Sequence, residues 1–569
     1  MYRHGNYTYA MILGSTTTLE GTGIMSKVAH YLQEHLLGEV MTSVDARRYF
    51  ATDCSIFNIP PSIVVYPRNE NDVRKTARFT WQLAERGRVI PITPRGWGTD
   101  LGGGAIGSGI MLVFPAHMNR IVSLDQKTGV IEVEPGLNYG RLQQTLQTHE
   151  RFLPPYPASI EYSTIGGAVG NNAAGEKSVK YGVTKDYVKS LRVVLANGEV
   201  IETGRITRRE LSKKLGLTTF EGEVYRSLDK LIEENRTIID KTVRETTKNT
   251  AGYNISDVKH RDGSFDLTPL FVGSQGTLGL ITEITCETEA HNPETVVFAA
   301  YFDSIQATCD ATVALKALPN IPSAIEFVDG KLLSIVNELN PNQLKSVLPD
   351  SLPKAVLIVE LDDPNDRRRK RNVKKIRQIF EKHASDYREA SRVADQSELW
   401  KIRHASANLL AYSEGQSRAI PVIEDGIVPI QKLAEFIEAV YALFETLKLD
   451  VALWGHAGDG NLHVQPFLDL NQLGDRQKAV KLMDEYYALV VRMGGSTSAQ
   501  HNDGRVRAGY LEKMYGEDVY AMLQQIKQIF DPFGILNPGV KLAANSDDMR
   551  SSLRSSYSLD YLYKHMPRS

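Results

Sequence analysis

Hydrophobic and polar positions along the chain switch between helical and strand periods. Apolar residues recur at helical spacing from Ser26 to Leu37. Ser62 to Pro67 is a short apolar run closed by proline, which predicts a buried strand. Asn71 to Arg86 predicts a helix, with Asn71 or Asp72 near its cap and Val73, Ala77, Trp81 and Ala84 on one face. Val89 to Ile92 predicts the next strand, and the strand–helix–strand order suggests an α/β unit. Ile110 to Val113, Ile121 to Leu124 and Val130 to Val133 read as strands, followed by a helix from Tyr139 to His149. Val188 to Leu195 and Glu199 to Ile201 flank Asn197-Gly198 and predict a hairpin. The stretch Leu270 to Thr282 predicts a further strand with a glycine loop. Beyond Asn292, strands at Thr295 to Phe302, Ala324 to Val328 and Ala355 to Leu361 alternate with helices at Ile305 to Leu318 and Asn365 to Ser385. The second of these helices carries Arg367 to Arg371 and Lys374-Lys375, read as a solvated face.

One hairpin stands apart for its chemistry. Leu453 to His463 places His456 and His463 about an Asp459-Gly460 pair, a tight-turn signal between apolar runs. With the tip at Asp459-Gly460 the two imidazoles face each other directly, with Cβ atoms roughly 4.5–5.5 Å apart. Asp459 is read as a turn former rather than a ligand.

Three glycine clusters punctuate the first half: Thr93 to Gly104, Ser163 to Gly175, and Gly273 to Gly279. Such loops bring backbone N–H groups onto an anion or pack backbone against a flat ligand. Their spacing is neither that of a P-loop nor that of the strand–GxGxxG–helix fingerprint.

Composition narrows the class. A chain of 569 residues exceeds one ordinary core. Hydrophobic residues at 42% and a net charge of −2 describe a globular protein with no strong pull on nucleic acid or anionic lipid. Cys54, Cys286 and Cys309 are far apart, so a zinc ribbon, a cysteine-held iron–sulfur cluster and a disulfide framework are unsupported. No apolar run approaches the ~20 residues of a membrane span. The expected location is cytoplasmic, with peripheral membrane association left open. The lead, Met1 to about Gly23, and the Ser-, Asp- and Tyr-rich end read as appendages.

The order Pro-Arg-Gly-x-Gly-Thr (from Pro94), Thr-Ile-Gly-Gly (from Thr164) and Gly-Ser-x-Gly-Thr-Leu-Gly (from Gly273) resembles the FAD-binding domain of the vanillyl-alcohol oxidase/p-cresol methylhydroxylase (PCMH) family. Within it, His456-x-Gly-Asp-Gly-Asn-x-His463 and the closing Phe530 to Gly539 are similar to the D-2-hydroxyacid dehydrogenases: D-lactate, glycolate and D-2-hydroxyglutarate dehydrogenases. The resemblance implies an α+β fold: a two-subdomain PCMH-type FAD-binding domain over 40–290 and a ferredoxin-like antiparallel substrate or cap domain over 291–495. It further implies an active-site-completing segment over 496–545, an N-terminal extension over 1–39 and a tail over 546–569.

The same resemblance implies FAD, held non-covalently, because the first loop has no histidine. Pro94, Arg95, Gly96, Gly98, Thr99, Asp100 and Leu101 would hold its pyrophosphate, with Trp97 where the family usually has glycine. Ser159, Thr164, Gly166, Gly167, Gly170, Asn171 and Gly175 would line the flavin and ribityl chain. Gly276, Thr277, Leu278 and Ile281 would support the adenosine side. Arg403 would clamp the substrate carboxylate, His456 and His463 would polarise the C2 hydroxyl, and His501 would be the general base. The family's metal-dependent members bind a divalent ion such as zinc through two histidines and a glutamate. Here the set would be His456, His463 and the neutral Gln500. Where several members carry a lysine, this chain has Glu424-Asp425. The implied reaction takes a small 2-hydroxyacid to its 2-oxoacid with hydride transfer to flavin. Electrons would pass to a quinone, an electron-transfer flavoprotein, a cytochrome or a separate iron–sulfur subunit; a homodimer is left open. The alternatives are an oxygen-using oxidase of another alcohol, ether-lipid synthesis on the same scaffold, and a non-catalytic FAD-binding subunit.

Overall fold

A computed structural model describes residues 18–406, 417–542, 552–554 and 557. Three sheets organise them. The first is four-stranded, in the order Glu39–Met41, Ile63–Tyr66, Ile110–Val113, Ile92–Arg95. Its last three strands are parallel, and the first pairs antiparallel. Helix Glu70–Ala84 is the crossover, capped by the Asn69 side chain on the Asp72 N–H rather than by Asn71 or Asp72. The strand expected at Val89 to Ile92 lies later, at Ile92–Arg95. Pro91 lacks an N–H, and its carbonyl accepts from Ile110, so pairing starts just after it.

The second sheet is antiparallel, in the order Ile121–Asp125, Val130–Val133, Leu280–Glu287, Val188–Val194, Val200–Glu202. Within the stretch expected as its closing strand, Leu270 and Phe271 instead form part of a short helix, Thr268–Phe271; the strand begins at Leu280. Pro269 near that helix's start favours the turn. Helix Thr18–His35 packs Val28, Ala29 and Leu32 into the core of the first sheet, so the N-terminal boundary placed at residue 39 cuts through packed structure. Residues 1–17 lie outside the described residues.

The third sheet is larger than a ferredoxin-like sheet. Seven antiparallel strands run in the order Asp386–Ala390, Val296–Phe302, Ala355–Leu361, Ala324–Asp329, Val451–His456, Asn461–Leu468, Arg418–Ala419. Both faces are covered. Phe298, Ala300 and Phe302 enter one core with helices Ile305–Lys316, Asp366–His383, Leu433–Leu447 and Leu473–Arg492. Val297, Ala299 and Tyr301 enter another with Gly330–Leu339 and Val393–His404. Alternating side chains thus serve two cores, and the strands read as unbroken apolar runs.

The C-terminal stretch returns to the first domain. Ile92 N–H donates to Ile535 C=O at 2.8 Å and Asn537 N–H to Ile92 C=O at 2.8 Å, adding Leu536 beside the strand that opens the first glycine loop. The stretch expected as a tail is anchored at several points. Leu553 bridges Phe57, Arg554 donates to the Asp53 and Phe57 carbonyls, and Tyr557 donates to the Cys54 carbonyl at 2.8 Å. Among the described residues no helix is long and apolar enough to cross a membrane.

Candidate active site

A cavity of about 680 Å³ lies between the glycine loops and the third sheet. Pro94, Arg95, Gly96, Trp97, Gly98, Thr99, Asp100 and Leu101 line it from the first loop, and Ser159, Thr164, Gly166, Gly167, Gly170 and Asn171 from the second. Gly276 and Ile281 line it from the third, and Arg403, Glu424, His463, Gln500 and His501 from the cap side. The sequence-derived set therefore converges on one cavity, with four exceptions, of which Leu278 is fully buried in the core behind the third loop. Gly175 is not at the wall; a Cβ there would meet the Tyr156 carbonyl at 2.0 Å, so it is a close backbone crossing. Thr277 is fully buried, its hydroxyl held by the Ser274 carbonyl and Tyr253 at 2.7 Å each. His456 lies behind Gln500 and does not border the cavity.

The first loop needs its glycines for space. A Cβ on Gly98, at φ +77°, would meet the Arg95 guanidinium at 2.2 Å. Gly96 packs on the Thr164 hydroxyl, which itself caps helix Ile165–Asn171 by accepting from Gly167 N–H at 3.0 Å. That helix is the form taken by the second cluster, which is too small-sided to bury much surface of its own. Gly170 leaves open space where a side chain would stand, with nothing nearer than 4.0 Å. Asp100 is not a bare anion facing a phosphate. It accepts from the Gly102 and Gly104 N–H groups at 2.8 Å each, from Asn171 Nδ2 at 2.9 Å and from Gln275 Nε2 at 3.2 Å. It knots the three loops together.

Four buried polar groups, all on residues that line the cavity, have no protein partner: Arg95 Nε, Trp97 Nε1, Ser163 Oγ and one terminal nitrogen of Arg403, Nη2. Three are N–H donors and the fourth is a hydroxyl. Burying unmet donors costs roughly 1–3 kcal/mol each, so this wall is built for an acceptor-rich ligand. The donor set, the open flat face over Gly167 and Gly170, and the cavity's size fit FAD.

The histidine hairpin departs from the expected register. Ala457–Asp459 form a 3-10 turn and Gly460 takes φ +75°, so the connection is four residues long. His456 then pairs with Asn461, and Trp454 with His463. The imidazoles are diagonal neighbours on one face, ring centres 5.3 Å apart, rather than directly opposed. Asp459 forms the turn as expected, but it is also a buried partner of Lys248 at 3.4 Å and of Ser178 at 2.6 Å.

Each imidazole is fixed by a partner. His456 Nδ1 faces Glu326 Oε1 at 2.8 Å, and His463 Nδ1 faces the Glu424 carbonyl at 3.0 Å. Both partners are acceptors, so both rings carry hydrogen on Nδ1 and offer a lone pair at Nε2. Burial, with nearby positive charge, lowers both pKa values well below the ordinary histidine value. His501 behaves oppositely. Burial opposes its protonation, but Glu424, hydrogen-bonded to Nδ1, and Asp425 outweigh it and raise its pKa.

Glu424 and Asp425, seen in the sequence only as a departure from family pattern, prove to organise the site. Glu424 bridges His501 and the fully buried Arg507, 2.8 Å away. Asp425 accepts from the N–H groups of Ala499, Gln500 and His501 at 2.8, 3.1 and 3.0 Å. Burial pushes its carboxyl up; His501, Arg507 and those N–H groups more than reverse this and hold it far below the ordinary range. Asp425 therefore fixes the backbone that presents Gln500 and His501. Arg403 donates from Nε to Glu326 at 2.7 Å and from Nη1 to Ser406 at 3.3 Å, leaving Nη2 free on the wall.

Three carriers of the site were missed from sequence: Glu326, Lys248 and Arg507. Glu326 had a signal, a lone carboxylate inside an apolar strand, Ala324–Asp329. Lys248 had none; it lies in an irregular loop and reaches the site only through the fold.

The proposed metal set does not fit an ion. Gln500 turns Oε1 to Lys248 Nζ at 3.0 Å and Nε2 to His456 Nε2 at 2.9 Å and His463 Nε2 at 3.4 Å. Its amide thus occupies the two lone pairs a metal would need. Glu424, His463 and His501 do bring ligand-type atoms within 4.8 Å of one another, but Glu424 is already engaged by His501 and Arg507.

Comparisons with known proteins agree with this architecture. Residues 61–204 match the family described as FAD binding domain, and 291–540 match FAD linked oxidases, C-terminal domain. The D-2-hydroxyglutarate dehydrogenase of Escherichia coli (strain K12) is 30% identical over 540 residues, 91% of this chain and 52% of that protein. The glycolate oxidase subunit GlcD of Bacillus subtilis (strain 168) is 30% identical over 490 residues, 85% of this chain and 90% of that protein. The D-lactate dehydrogenase of Anaerostipes hadrus is 29% identical over 459 residues, 79% and 84% of the two chains. The chain spans about half the length of the D-2-hydroxyglutarate dehydrogenase it matches, 52%. Among solved structures, 4-ethylphenol oxidase from Gulosibacter chungangensis superposes with a TM-score of 0.65 at 17% identity, covering 93% of this chain and 98% of that one. p-Cresol methylhydroxylase gives 0.64 at 15% identity with the same coverages, 93% and 98%. These two bear on the fold alone.

Fold and cleft together are those of the FAD-linked oxidases, with a PCMH-type FAD-binding domain. More particularly, the chain belongs to the FAD-linked D-2-hydroxyacid dehydrogenase family, whose curated members include D-lactate and D-2-hydroxyglutarate dehydrogenases.

Proposed function

We propose that this protein oxidises a D-2-hydroxyacid with a single carboxylate, of the D-lactate or glycolate kind, to the 2-oxoacid, and passes the electrons to an acceptor other than NAD. The observation that carries the reading is the unpartnered Arg403 Nη2, buried on the same wall as His463 and His501. A substrate carboxylate completes that guanidinium, whose Nε and Nη1 already donate to Glu326 and Ser406. The C2 hydroxyl then lies toward the imidazoles. His501, with Nδ1–H given to Glu424, offers Nε2 to take the hydroxyl proton. His463, its Nε2 capped by the Gln500 amide, packs beside the reacting carbon as a neutral wall. Bound FAD, held by the Arg95 to Leu101 loop and the helix at Ile165–Asn171, supplies the two-electron acceptor for the C2 hydrogen.

The preference for one carboxylate follows from charge. Among the described residues lining the cavity, Arg95 and Arg403 are the lysines and arginines, and Arg95 belongs to the first glycine loop. Glu176 adds a carboxylate beside His404 at 3.1 Å, which opposes a second anionic end. Anaerobic mixing of FAD-loaded protein with D-lactate, glycolate, D-2-hydroxyglutarate and the L-enantiomers tests the reading. Bleaching of the flavin by the D- or achiral monocarboxylates is expected, with the dicarboxylate at least ~10-fold poorer in kcat/KM. No bleaching by any 2-hydroxyacid would remove the proposal, and best turnover of D-2-hydroxyglutarate would remove the charge argument.

A further inference from the structure

We propose that a resident lysine takes the place of a divalent ion beside the paired imidazoles: Lys248 locks Gln500 so that its amide caps His456 and His463, and the site works without metal. The inference rests on the functional reading only in taking this cavity as the reaction site.

The orientation of Gln500 is forced by its partners. An ammonium group has three hydrogens and no lone pair, so the amide atom 3.0 Å from Lys248 Nζ is the oxygen. The amide nitrogen must then face the histidines, and it meets two acceptors. His456 Nε2 is a lone pair because Glu326 takes the Nδ1 hydrogen; His463 Nε2 is one because the Glu424 carbonyl does. The relay Glu326–His456–Gln500–Lys248–Asp459 is satisfied at every link in one direction only. To ligate an ion, Gln500 would have to present its oxygen to the histidine side. Its N–H groups would then face the lysine, donor against donor.

Charge points the same way. Lys248 and Asp459 are each about 1% exposed as side chains, and Arg403 and Glu326 3% and 1%. Two cations already balance two carboxylates, and Lys316 leans on Asp459 from 3.9 Å. The imidazoles are neutral, and so is Gln500. A dication at the two imidazoles would meet a buried cluster already balanced, an ammonium just beyond Gln500, and in Glu424 a carboxylate already shared by His501 and Arg507. Lys248 touches neither the cavity nor any reacting atom. It is a positioning residue, holding Gln500 and, through it, the His456 and His463 rings.

The test reads metal content, not turnover. FAD-loaded full-length protein is dialysed against Zn²⁺, Mn²⁺ or Co²⁺, desalted, and metal per flavin measured by mass spectrometry. The wild type is expected to keep only a trace. Lys248→Met frees the amide to turn and should bind Zn²⁺ at least ~10-fold more tightly. The double variant Lys248→Met/Asp459→Asn, which leaves no buried charge unpaired, should gain likewise. Lys248→Arg, which keeps the charge, should stay metal-poor. About one zinc per flavin retained by the wild type, whether at the two imidazoles or at Glu424, His463 and His501, overturns the proposal. So does a double variant that binds no more tightly than the wild type. Bleaching by hydroxyacids on the same samples separates the two claims: metal-poor protein that no acid bleaches sinks the function and leaves this inference standing.

Discussion

Replacing Arg403 by lysine is the sharpest probe of the substrate clamp. The guanidinium divides its work: Nε holds Glu326 at 2.7 Å, Nη1 reaches Ser406 at 3.3 Å, and Nη2 waits on the cavity wall. An ammonium is a single point, and Glu326, 1% exposed, will claim it. Lysine therefore preserves the buried ion pair and withdraws the hand offered to the substrate. Methionine would be a poorer choice, since an unpaired buried Glu326 costs roughly 3–5 kcal/mol and clouds the result with misfolding. One charge-assisted hydrogen bond to the substrate is worth about 1.5–3 kcal/mol, so the apparent Kd for D-lactate should rise roughly 10- to 150-fold. Anaerobic stopped-flow traces of flavin bleaching against acid concentration give Kd and the limiting rate separately. The methyl ester of the same acid lacks the charged carboxylate and should lose little between wild type and variant. An unchanged Kd for the acid, or an equal loss for acid and ester, would refute the clamp.

Other expectations follow from the same geometry. His501 acts as base only when neutral, and Glu424 raises its pKa; kcat/KM should therefore fall as pH drops through that value, and Glu424→Gln should move the acid limb to lower pH in a pH–rate profile. A Cβ on Gly98 would meet Arg95 at 2.2 Å in a left-handed backbone, so Gly98→Ala should weaken FAD binding at least ~10-fold, read by flavin-to-protein ratio after gel filtration. Burial and the neighbouring Asp100 carry the Asp53 carboxyl from 3.8 up to about 6. Its contribution to stability is whole below the unfolded value and is lost as pH rises through the folded one, up to about 3 kcal/mol. Asp53→Asn should flatten the fall in thermal midpoint between pH 4 and 7 measured by scanning calorimetry; an unchanged slope would rule Asp53 out as its source.

Much of this was legible because glycine loops and hairpins are local. Three clusters of small residues in fixed order announced the cofactor wall, and the histidine spacing announced the hairpin. What sequence could not supply was how distant segments share hydrogen bonds. The four-residue turn shifted the register by two residues, because Gly460 takes the left-handed conformation while Ala457 to Asp459 coil. That shift set His456 behind Gln500 and left His463 at the wall, splitting two imidazoles that spacing alone had made equivalent. Similarly, Thr277 and Gly175 belong to loops that do line the cavity, yet face away from it. A loop's membership is legible; the direction of each residue is not.

The partners of the site explain why its electrostatics stayed hidden. Glu326 and Arg403 are 77 positions apart, Lys248 and Gln500 252, and Glu424 and His501 77. Each pair is buried, and a buried charge is tolerable only with its partner in place. Reading any one of them alone therefore gives the wrong environment: Gln500 looks like a weakened ligand until Lys248 is set against it, and Glu424 looks like a lost substrate contact until it is seen holding His501. The folded protein sorts its buried ionisable groups into two clusters on either side of His463. Behind it, burial with Lys248 and Arg403 keeps His456 neutral; beside it, Glu424 and Asp425 favour a protonated His501 against burial and Arg507. Both rings give Nδ1 to a carboxylate, yet burial and two neighbouring cations prevail at His456 while Glu424 and Asp425 prevail at His501, so one imidazole is a fixed acceptor and the other a proton carrier, which is the asymmetry that proton abstraction from a hydroxyl requires.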